Sequence, residues 1–68
     1  MSETEKLIYR YLEYCAYMNK EPRCCDIARK LTYSNTNIQY HLNKLIKKGI
    51  VIKKGKRYTL VTLKYPKD

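Results

Sequence analysis

The sequence predicts an α+β fold in which three helices precede a C-terminal β-hairpin. Three observations support this prediction. Apolar residues recur at helical spacing in three separate segments of the first 48 residues. From Ile50 onward the apolar spacing changes to two, which is the period of a β-strand. In the middle of this last segment Gly55 stands between two lysines, which favours a tight turn.

The first helix is predicted over about residues 3–19. Ser2 and Glu5 form a capping box, in which each side chain caps the backbone N–H of the other residue. The helix should end near Asn19, because Pro22 disfavours helical geometry in the residue before it. The apolar stripe of this helix consists of Leu7, Ile8, Tyr11, Leu12, Cys15 and Met18.

Two shorter helices are predicted over about residues 23–31 and 35–48, with a tight turn between them. Ser34 is a good N-cap for the third helix, and Gly49 suits the left-handed position after its last turn. The apolar stripe of the second helix consists of Cys24, Ile27, Ala28 and Leu31. That of the third helix consists of Ile38, Leu42, Leu45 and Ile46.

The hairpin is predicted over about residues 50–63. Its second strand should be the longer one and should run to Leu63 or Lys64 before Pro66 ends it. A short strand near Pro22 is expected to add a third edge. The side chains expected to face the helices are Ile50, Ile52, Tyr58 and Leu60.

Positive charge is concentrated in the C-terminal part of the chain, which has a formal net charge of +9 at pH 7. Residues 1–42 carry six Lys/Arg and five Asp/Glu, a net charge of +1. Residues 43–68 carry nine Lys/Arg and one Asp, a net charge of +8. Such a block favours a polyanionic partner, and we expect that partner to be a nucleic acid. The alternative is a solvated lysine face that aids solubility.

The third helix carries a face of hydrogen-bonding side chains, and no acidic residue occurs between Ser34 and Gly49. If Ile38 lies at the centre of the buried face, steps of about 100° per residue give the positions that point outward. Asn and Gln can bond adenine bidentately in the major groove of DNA. The candidate base-reading residues are Thr36, Asn37, Gln39, Tyr40 and Asn43. The alternative is an ordinary solvated helix face.

Basic side chains flank this polar face and form the tip of the hairpin. They suit contacts with phosphates, and Arg57 also suits an adjacent minor groove. The candidate phosphate-contacting or hairpin residues are Ser34, Lys44, Lys47, Lys48, Lys53, Lys54, Lys56 and Arg57. His41 lies at the edge of the apolar stripe, so we expect a half-buried, hydrogen-bonded histidine. A DNA contact and a pH sensor are the alternatives for His41.

The sequence argues against a metal site and against an enzyme. Cys15, Cys24 and Cys25 have no Cys-x-x-Cys spacing, and His41 is the only histidine. We expect reduced, packed thiols, with an intermolecular disulfide as the alternative. The chain offers no carboxylate pair, no nucleophile beside a base and no phosphate-binding glycine loop. No catalytic residue, metal ligand or cofactor is therefore predicted.

The cellular location is predicted from two sequence features that are not found, a membrane-spanning segment and a secretory signal. No apolar run approaches the roughly 20 residues that span a bilayer. The N-terminus is acidic and polar, unlike a secretory signal. We therefore expect a cytoplasmic protein, prokaryotic or of viral origin in a host cell, with no membrane partner.

Five short motifs carry a resemblance to a known family. They are residues 26–28 with Leu31, Ser34 before Ile38, residues 41–45, residues 48–50, and Tyr58 with Leu60. With these motifs the chain resembles the winged helix-turn-helix transcriptional regulators, in particular the compact kinds related to the arsenic-repressor and multiple-antibiotic-resistance-repressor families. The resemblance covers roughly residues 4–62. It implies a three-helix core with a β-wing, sequence-specific DNA binding and usually a homodimer.

The chain departs from the larger of these families in three respects. It has no pattern for a C-terminal dimerisation helix, none for a ligand pocket, and no metal-binding arrangement of cysteines. No small-molecule effector is therefore expected. The sequence therefore predicts an α+β, winged helix-turn-helix fold with a C-terminal β-hairpin wing, forming one domain over residues 1–68.

The function predicted is that of a sequence-specific regulator of transcription that binds double-stranded DNA. The third helix would enter the major groove, and the basic wing would lie on the phosphate backbone or in the minor groove. The alternatives are a protein-interaction winged-helix module and a nonspecific nucleic-acid-binding protein. A homodimer is expected through the first helix, with help from residues 63–65. Its interface residues, outside the apolar stripe, are Tyr9, Tyr14 and Tyr17.

Overall fold

A computed structural model of the chain describes residues 2–61. Three helices are followed by a two-stranded antiparallel hairpin, which confirms the predicted winged helix-turn-helix fold. The elements are α1 (Glu3–Tyr17), α2 (Cys24–Leu31), α3 (Asn35–Lys47), β1 (Val51–Lys54) and β2 (Arg57–Leu60). The predicted extension of the second strand to Leu63 or Lys64, and the predicted interface at residues 63–65, lie outside the described residues.

Serine side chains cap the N-termini of α1 and α3, as predicted. Ser2 Oγ accepts a hydrogen bond from the Glu5 N–H at 3.2 Å, and Ser34 Oγ accepts one from the Asn37 N–H at 3.1 Å. The reciprocal half of the predicted capping box is wrong, because the Glu5 carboxylate points to α3 instead of back to Ser2. Glu5 is therefore a buried contact between two helices.

Each helix is followed by a residue with positive φ. These residues are Asn19 (φ 61°), Thr32 (φ 59°) and Gly49 (φ 78°). After α3 the N–H of Ile50 returns to the carbonyl of Leu45 at 3.0 Å, which satisfies a carbonyl of the last turn. The first helix ends two residues before the predicted end, because the left-handed Asn19 already lies outside the helix.

The core lies where the three helices meet the inner face of the hairpin. Helix α1 packs against β2 and α3, and α2 packs against α3. The buried residues of this core cluster are Ile8, Leu12, Ile27, Ala28, Ile38, Leu42, Leu45, Val51, Tyr58 and Leu60. A domain of this size buries only about 60% of its unfolded surface, so each of these contacts is a large share of the total stability.

The prediction that Ile52 faces the core was wrong, whereas Ile50 does pack against the core as predicted. Val51 is buried and lies opposite Leu60, whereas Ile52 lies opposite Thr59 on the other face. Directly opposed residues of an antiparallel pair share a face of the sheet. The alternation begins one residue later than predicted because Ile50 still belongs to the stop of α3, where it packs on the edge of the core. The two inward positions predicted on β2 are confirmed.

The turn and a short third edge set the position of the wing. Gly55 has a φ of 64° and the residue after it does not have positive φ, which is the pattern of a two-residue type II′ turn. The Tyr58 N–H donates to the Pro22 carbonyl at 2.9 Å, and Arg23 forms an isolated antiparallel bridge with Arg57. These contacts confirm the predicted third edge and tie the wing to the start of α2.

Candidate nucleic-acid interface

A groove of about 750 Å³ lies between the start of α2, the polar face of α3 and the wing. Helix α3 contributes amides and hydroxyls to it, and the wing contributes two lysines and a tyrosine. The α3 residues that line it and were predicted to read bases are Thr36, Gln39, Tyr40 and Asn43. The wing residues that line it are Lys53, Lys56 and Tyr58. The groove therefore joins hydrogen-bonding groups to positive charge.

The fifth predicted base reader, Asn37, has a different position. It is exposed in the first turn of α3, where its N–H is capped by Ser34, and it does not line the groove. Thr36, Tyr40 and Asn43 are exposed, whereas Gln39 is half-buried. The helical spacing thus places four of the five side chains in the groove and one beside it.

Gln39 connects α3 to the wing. Its Nε2 donates to Asn43 Oδ1 at 3.2 Å and to the Tyr58 hydroxyl at 3.3 Å. The contact with Asn43 follows from a spacing of four on a helix. The sequence pattern predicts only a core position for Tyr58 and not this contact, because no local pattern links residues 19 apart. The Lys53 Nζ lies 5.9 Å from the centroid of the Tyr58 ring, so the same tyrosine also contacts a wing cation.

Tyr40 is held at the rim of the groove. The His41 ring meets it edge-on, with centroids 5.1 Å apart and an interplanar angle of 73°. The Lys44 Nζ lies 5.3 Å from the Tyr40 centroid. A phenol with a cation beside it suits a contact with a phosphate or a sugar.

A buried carboxylate links α1 to the second half of α3. Glu5 is only 1% exposed, and it accepts hydrogen bonds from His41 Nδ1 at 3.0 Å and from Lys48 Nζ at 3.2 Å. The bond from His41 is the main cause that lowers the pKa of Glu5 to about 2, with Lys48 contributing in the same direction against the effect of burial. The predicted half-buried, hydrogen-bonded His41 is confirmed, and Lys48 serves a contact between helices.

The four cations of the wing divide into two pairs on opposite sides. Lys53 and Lys56 line the groove beside α3. Lys54 and Arg57 lie opposite each other in the hairpin and point to Glu21. The Lys54 Nζ donates to Glu21 Oε2 at 3.0 Å, and Arg57 Nη1 donates to the Glu21 carbonyl at 2.9 Å. The alternation of side chains along the strands accounts for this division, whereas the four cations were predicted as one group.

The remaining candidate cations lie near the end of α3. Lys44 and Lys47 are exposed in its last turn, where a positive side chain is favoured by the helix dipole. The exposed ends of Lys44 and Lys47 extend the positive surface of the wing along the helix.

The three cysteines are free thiols. Cys15 is buried, and Cys24 Sγ lies 3.5 Å from the Asn35 carbonyl. Burial is the main cause that raises the pKa of the Cys24 thiol, which keeps it protonated and weakly nucleophilic. Within residues 2–61 no group of three or more His, Cys, Asp or Glu side chains lies close enough to hold a metal ion. In the same range no helix has the length and apolar character needed to cross a bilayer.

The last two turns of α1 carry an exposed aromatic surface. Tyr14 is 55% exposed, Tyr17 is 75% exposed, and Met18 lies beside them at 45%. Tyr11 stacks on Tyr14 with ring centroids 6.5 Å apart. Tyr9, the third predicted interface residue, is half-buried against the core. Neighbouring exposed apolar groups of this kind are common in protein interfaces.

A family model described as bacterial regulatory protein, arsR family, matches residues 16–53, which is more than half of the chain. The matched segment contains α2 and α3 and extends from the end of α1 into β1, so it includes most of the groove. No curated protein and no solved structure matches the chain. Family membership also indicates a non-enzymatic role. The chain belongs to the arsR family of bacterial regulatory proteins and is a DNA-binding regulator of transcription.

Proposed function

We propose that the protein is a sequence-specific regulator that inserts α3 into the major groove of double-stranded DNA. The wing then lies along the phosphate backbone or in the adjacent minor groove. The groove between α3 and the wing carries this proposal, because it combines base-bonding groups on one helix with cations on the hairpin. The proposed base-reading residues are Thr36, Asn37, Gln39, Tyr40 and Asn43.

The side chains proposed to contact phosphates differ in whether they already bond an acceptor of the chain. Lys44, Lys47, Lys53 and Lys56 have no carboxylate partner within residues 2–61, so no carboxylate of that range competes with DNA for them. Lys48, Lys54 and Arg57 already bond acceptors of the chain, so they would share or exchange those bonds. Ser34 adds a hydroxyl at the start of α3. We therefore expect the first group to contribute more to binding.

The charge distribution favours this proposal over a protein-docking role. A module that docks on another protein would gain little from the net charge of +7 that residues 43–61 carry, with seven Lys/Arg and no Asp/Glu, at the end of α3 and in the wing. The amides of α3 favour sequence-specific binding over nonspecific binding, because phosphate contact needs only the cations.

The test is a selection of bound sequences from a pool of random DNA duplexes. We expect a clear consensus, and we expect Asn43→Ala to relax it at particular base pairs at a cost of about 1–3 kcal/mol. Lys6→Ala, an exposed change on α1, is the control and should leave the consensus unchanged. Bound sequences with no shared positions, or equal weakening of all sequences by Asn43→Ala, would contradict the proposed role of α3.

We further propose a homodimer in which the exposed end of α1 forms the interface. One base-reading helix contacts few base pairs, whereas two such helices about 34 Å apart would read successive major grooves of a palindrome. The exposed aromatic surface formed by Tyr14 and Tyr17 supports this arrangement, and we propose the half-buried Tyr9 as a further interface residue. The proposal also includes residues 63–65 in this interface.

Sedimentation at micromolar concentration should show a species of two chain masses with and without reductant. Replacing both Tyr14 and Tyr17 by Ser should shift it to one chain mass, because the exposed aromatic surface is removed. Leu7→Ser, at the other end of α1 and 38% exposed, is the control for loss of an exposed apolar side chain. A wild-type protein of one chain mass that binds DNA one to one would refute the dimer. Dissociation by reductant would assign the contact to a disulfide.

A further inference from the structure

We infer that Gln39 and Asn43 act together as an amide dyad that reads one adenine, and that Tyr58 of the wing is the residue that positions it. This inference rests on the proposed function and specifies the base that the groove selects. It also gives the wing a part in specificity, in addition to its contacts with phosphates.

The hydrogen bonds within the dyad determine what it can offer to DNA. A side-chain amide has two donor hydrogens and one acceptor oxygen. Both Nε2 hydrogens of Gln39 are used, one by Asn43 Oδ1 and the other by the Tyr58 hydroxyl. Among residues 2–61, Gln39 Oε1 and Asn43 Nδ2 have no partner. The dyad therefore leaves one acceptor and one donor for DNA. Turning both amides over exchanges which residue supplies the acceptor and which the donor.

Adenine is the base that matches this pair. In the major groove it presents the N6 amino donor next to the N7 acceptor. Guanine presents two acceptors, cytosine an amino donor, and thymine an acceptor and a methyl group. A single Asn or Gln reads adenine with both ends of one amide. Here the acceptor and the donor come from two residues one helical turn apart, which requires that both be held in place.

Tyr58 supplies this constraint. Its side chain is only 2% exposed and belongs to the core, and its N–H is bonded to the Pro22 carbonyl. The position of its hydroxyl is therefore fixed by the fold. A free Gln side chain would lose several rotamers on binding DNA, whereas Gln39 is already held by the Tyr58 hydroxyl. Phe at position 58 would keep the buried ring and remove only this contact.

The first arm of the test repeats the selection with Tyr58→Phe and with Gln39→Ala. We expect the wild-type consensus to contain one base pair at which adenine is preferred roughly tenfold or more. Both variants should reduce the preference at that base pair by roughly five- to tenfold and leave the other positions unchanged. Tyr11→Phe, which removes the hydroxyl of a half-buried tyrosine on α1, is the matched control and should leave the consensus unchanged.

The second arm uses altered bases at the assigned position and does not depend on the folding of Tyr58→Phe. 7-Deazaadenine lacks the N7 acceptor, and purine lacks the N6 amino group. Each should weaken binding of the wild-type protein roughly tenfold. Each should weaken binding of the double variant Gln39→Ala/Asn43→Ala by less than about twofold, because the groups that contact N6 and N7 are then absent.

Three outcomes would overturn the inference. A G·C pair as the only position that responds to Gln39→Ala would show that the dyad does not read adenine. If Tyr58→Phe folds and selects the same consensus as the wild type, Tyr58 does not position the dyad. Both of these results leave the proposed function intact. A wild-type protein that binds every duplex equally would overturn the inference and the proposed function together.

Discussion

Raising the salt concentration from 50 to 200 mM should weaken binding to duplex DNA about a thousandfold. The expectation rests on the net charge of +8 in residues 43–68 and on the lysines that line or flank the groove. Six phosphate contacts in a dimer would release about six counterions, which gives a slope of about −5 in a plot of log affinity against log salt. Fluorescence titrations at four salt concentrations would measure this slope.

The wing lysines provide an internal comparison for this measurement. Replacing Lys53 and Lys56 by Gln should make the slope shallower. Each lysine occurs twice in a dimer, so a lysine that contacts a phosphate in both protomers accounts for a change of about 2. Lys54→Gln should have a smaller effect, because Lys54 is already paired with Glu21 at 3.0 Å. The double variant Lys6→Gln/Lys20→Gln removes two charges outside the groove and is the control. The electrostatic part of the proposal would be contradicted if the affinity for DNA did not depend on salt concentration. It would also be contradicted if the control variant changed the slope as much as the Lys53 and Lys56 variant.

Replacing Glu5 by Gln should lower the free energy of unfolding by about 2 kcal/mol at pH 7. The carboxylate is buried and accepts two hydrogen bonds from cationic or potentially cationic groups, His41 and Lys48. Gln keeps the shape of the side chain but weakens both bonds. Two partly exposed donors remain, which limits the loss, since both can turn to water. Urea denaturation of the two proteins would measure the difference.

The effect of Glu5→Gln should depend on pH in a defined direction. The folded pKa of Glu5, about 2, lies below the ordinary value of 4.5, so the folded state favours the ionised carboxylate. The stabilisation is therefore complete above about pH 4.5 and is lost as the pH falls towards about 2. Wild type and Glu5→Gln should differ most near neutral pH and converge near pH 2.

Glu3→Gln is the matched control, because it makes the same chemical change at an exposed position of the same helix. It should change the free energy of unfolding by less than about 0.5 kcal/mol. A difference between wild type and Glu5→Gln that stays constant from pH 7 to pH 2 would show that the charge of Glu5 does not stabilise the link between α1 and α3.

The sequence was sufficient to predict the elements of the fold because their signals are local. Ser34 precedes α3 and caps it through a residue three positions away, and Gly49 follows α3 in the left-handed conformation. The apolar stripe of α3 repeats within one or two turns, and its outward positions follow from the same geometry. This is why the sequence could predict one polar face for the candidate base readers, four of which line the groove in the structure.

Local signals fail where two elements meet. The alternation of β1 could not be assigned without knowing that Ile50 completes the stop of α3, so Ile52 was given the position that Val51 occupies. The hairpin tip appeared as one block of positive charge. Pairing of the strands places Lys54 and Arg57 on the side opposite to the groove.

By itself, the sequence determined the three helices, the wing, the basic C-terminal part and the polar face of α3. Only the tertiary structure decided the partners of the side chains that define the site. Glu5 and His41 are 36 residues apart, and Gln39 and Tyr58 are 19 apart. The physical reason is that backbone hydrogen bonds and helical or strand periods involve near neighbours in the chain. A buried carboxylate or a half-buried amide is satisfied by whichever group the packing of distant elements brings within about 3 Å.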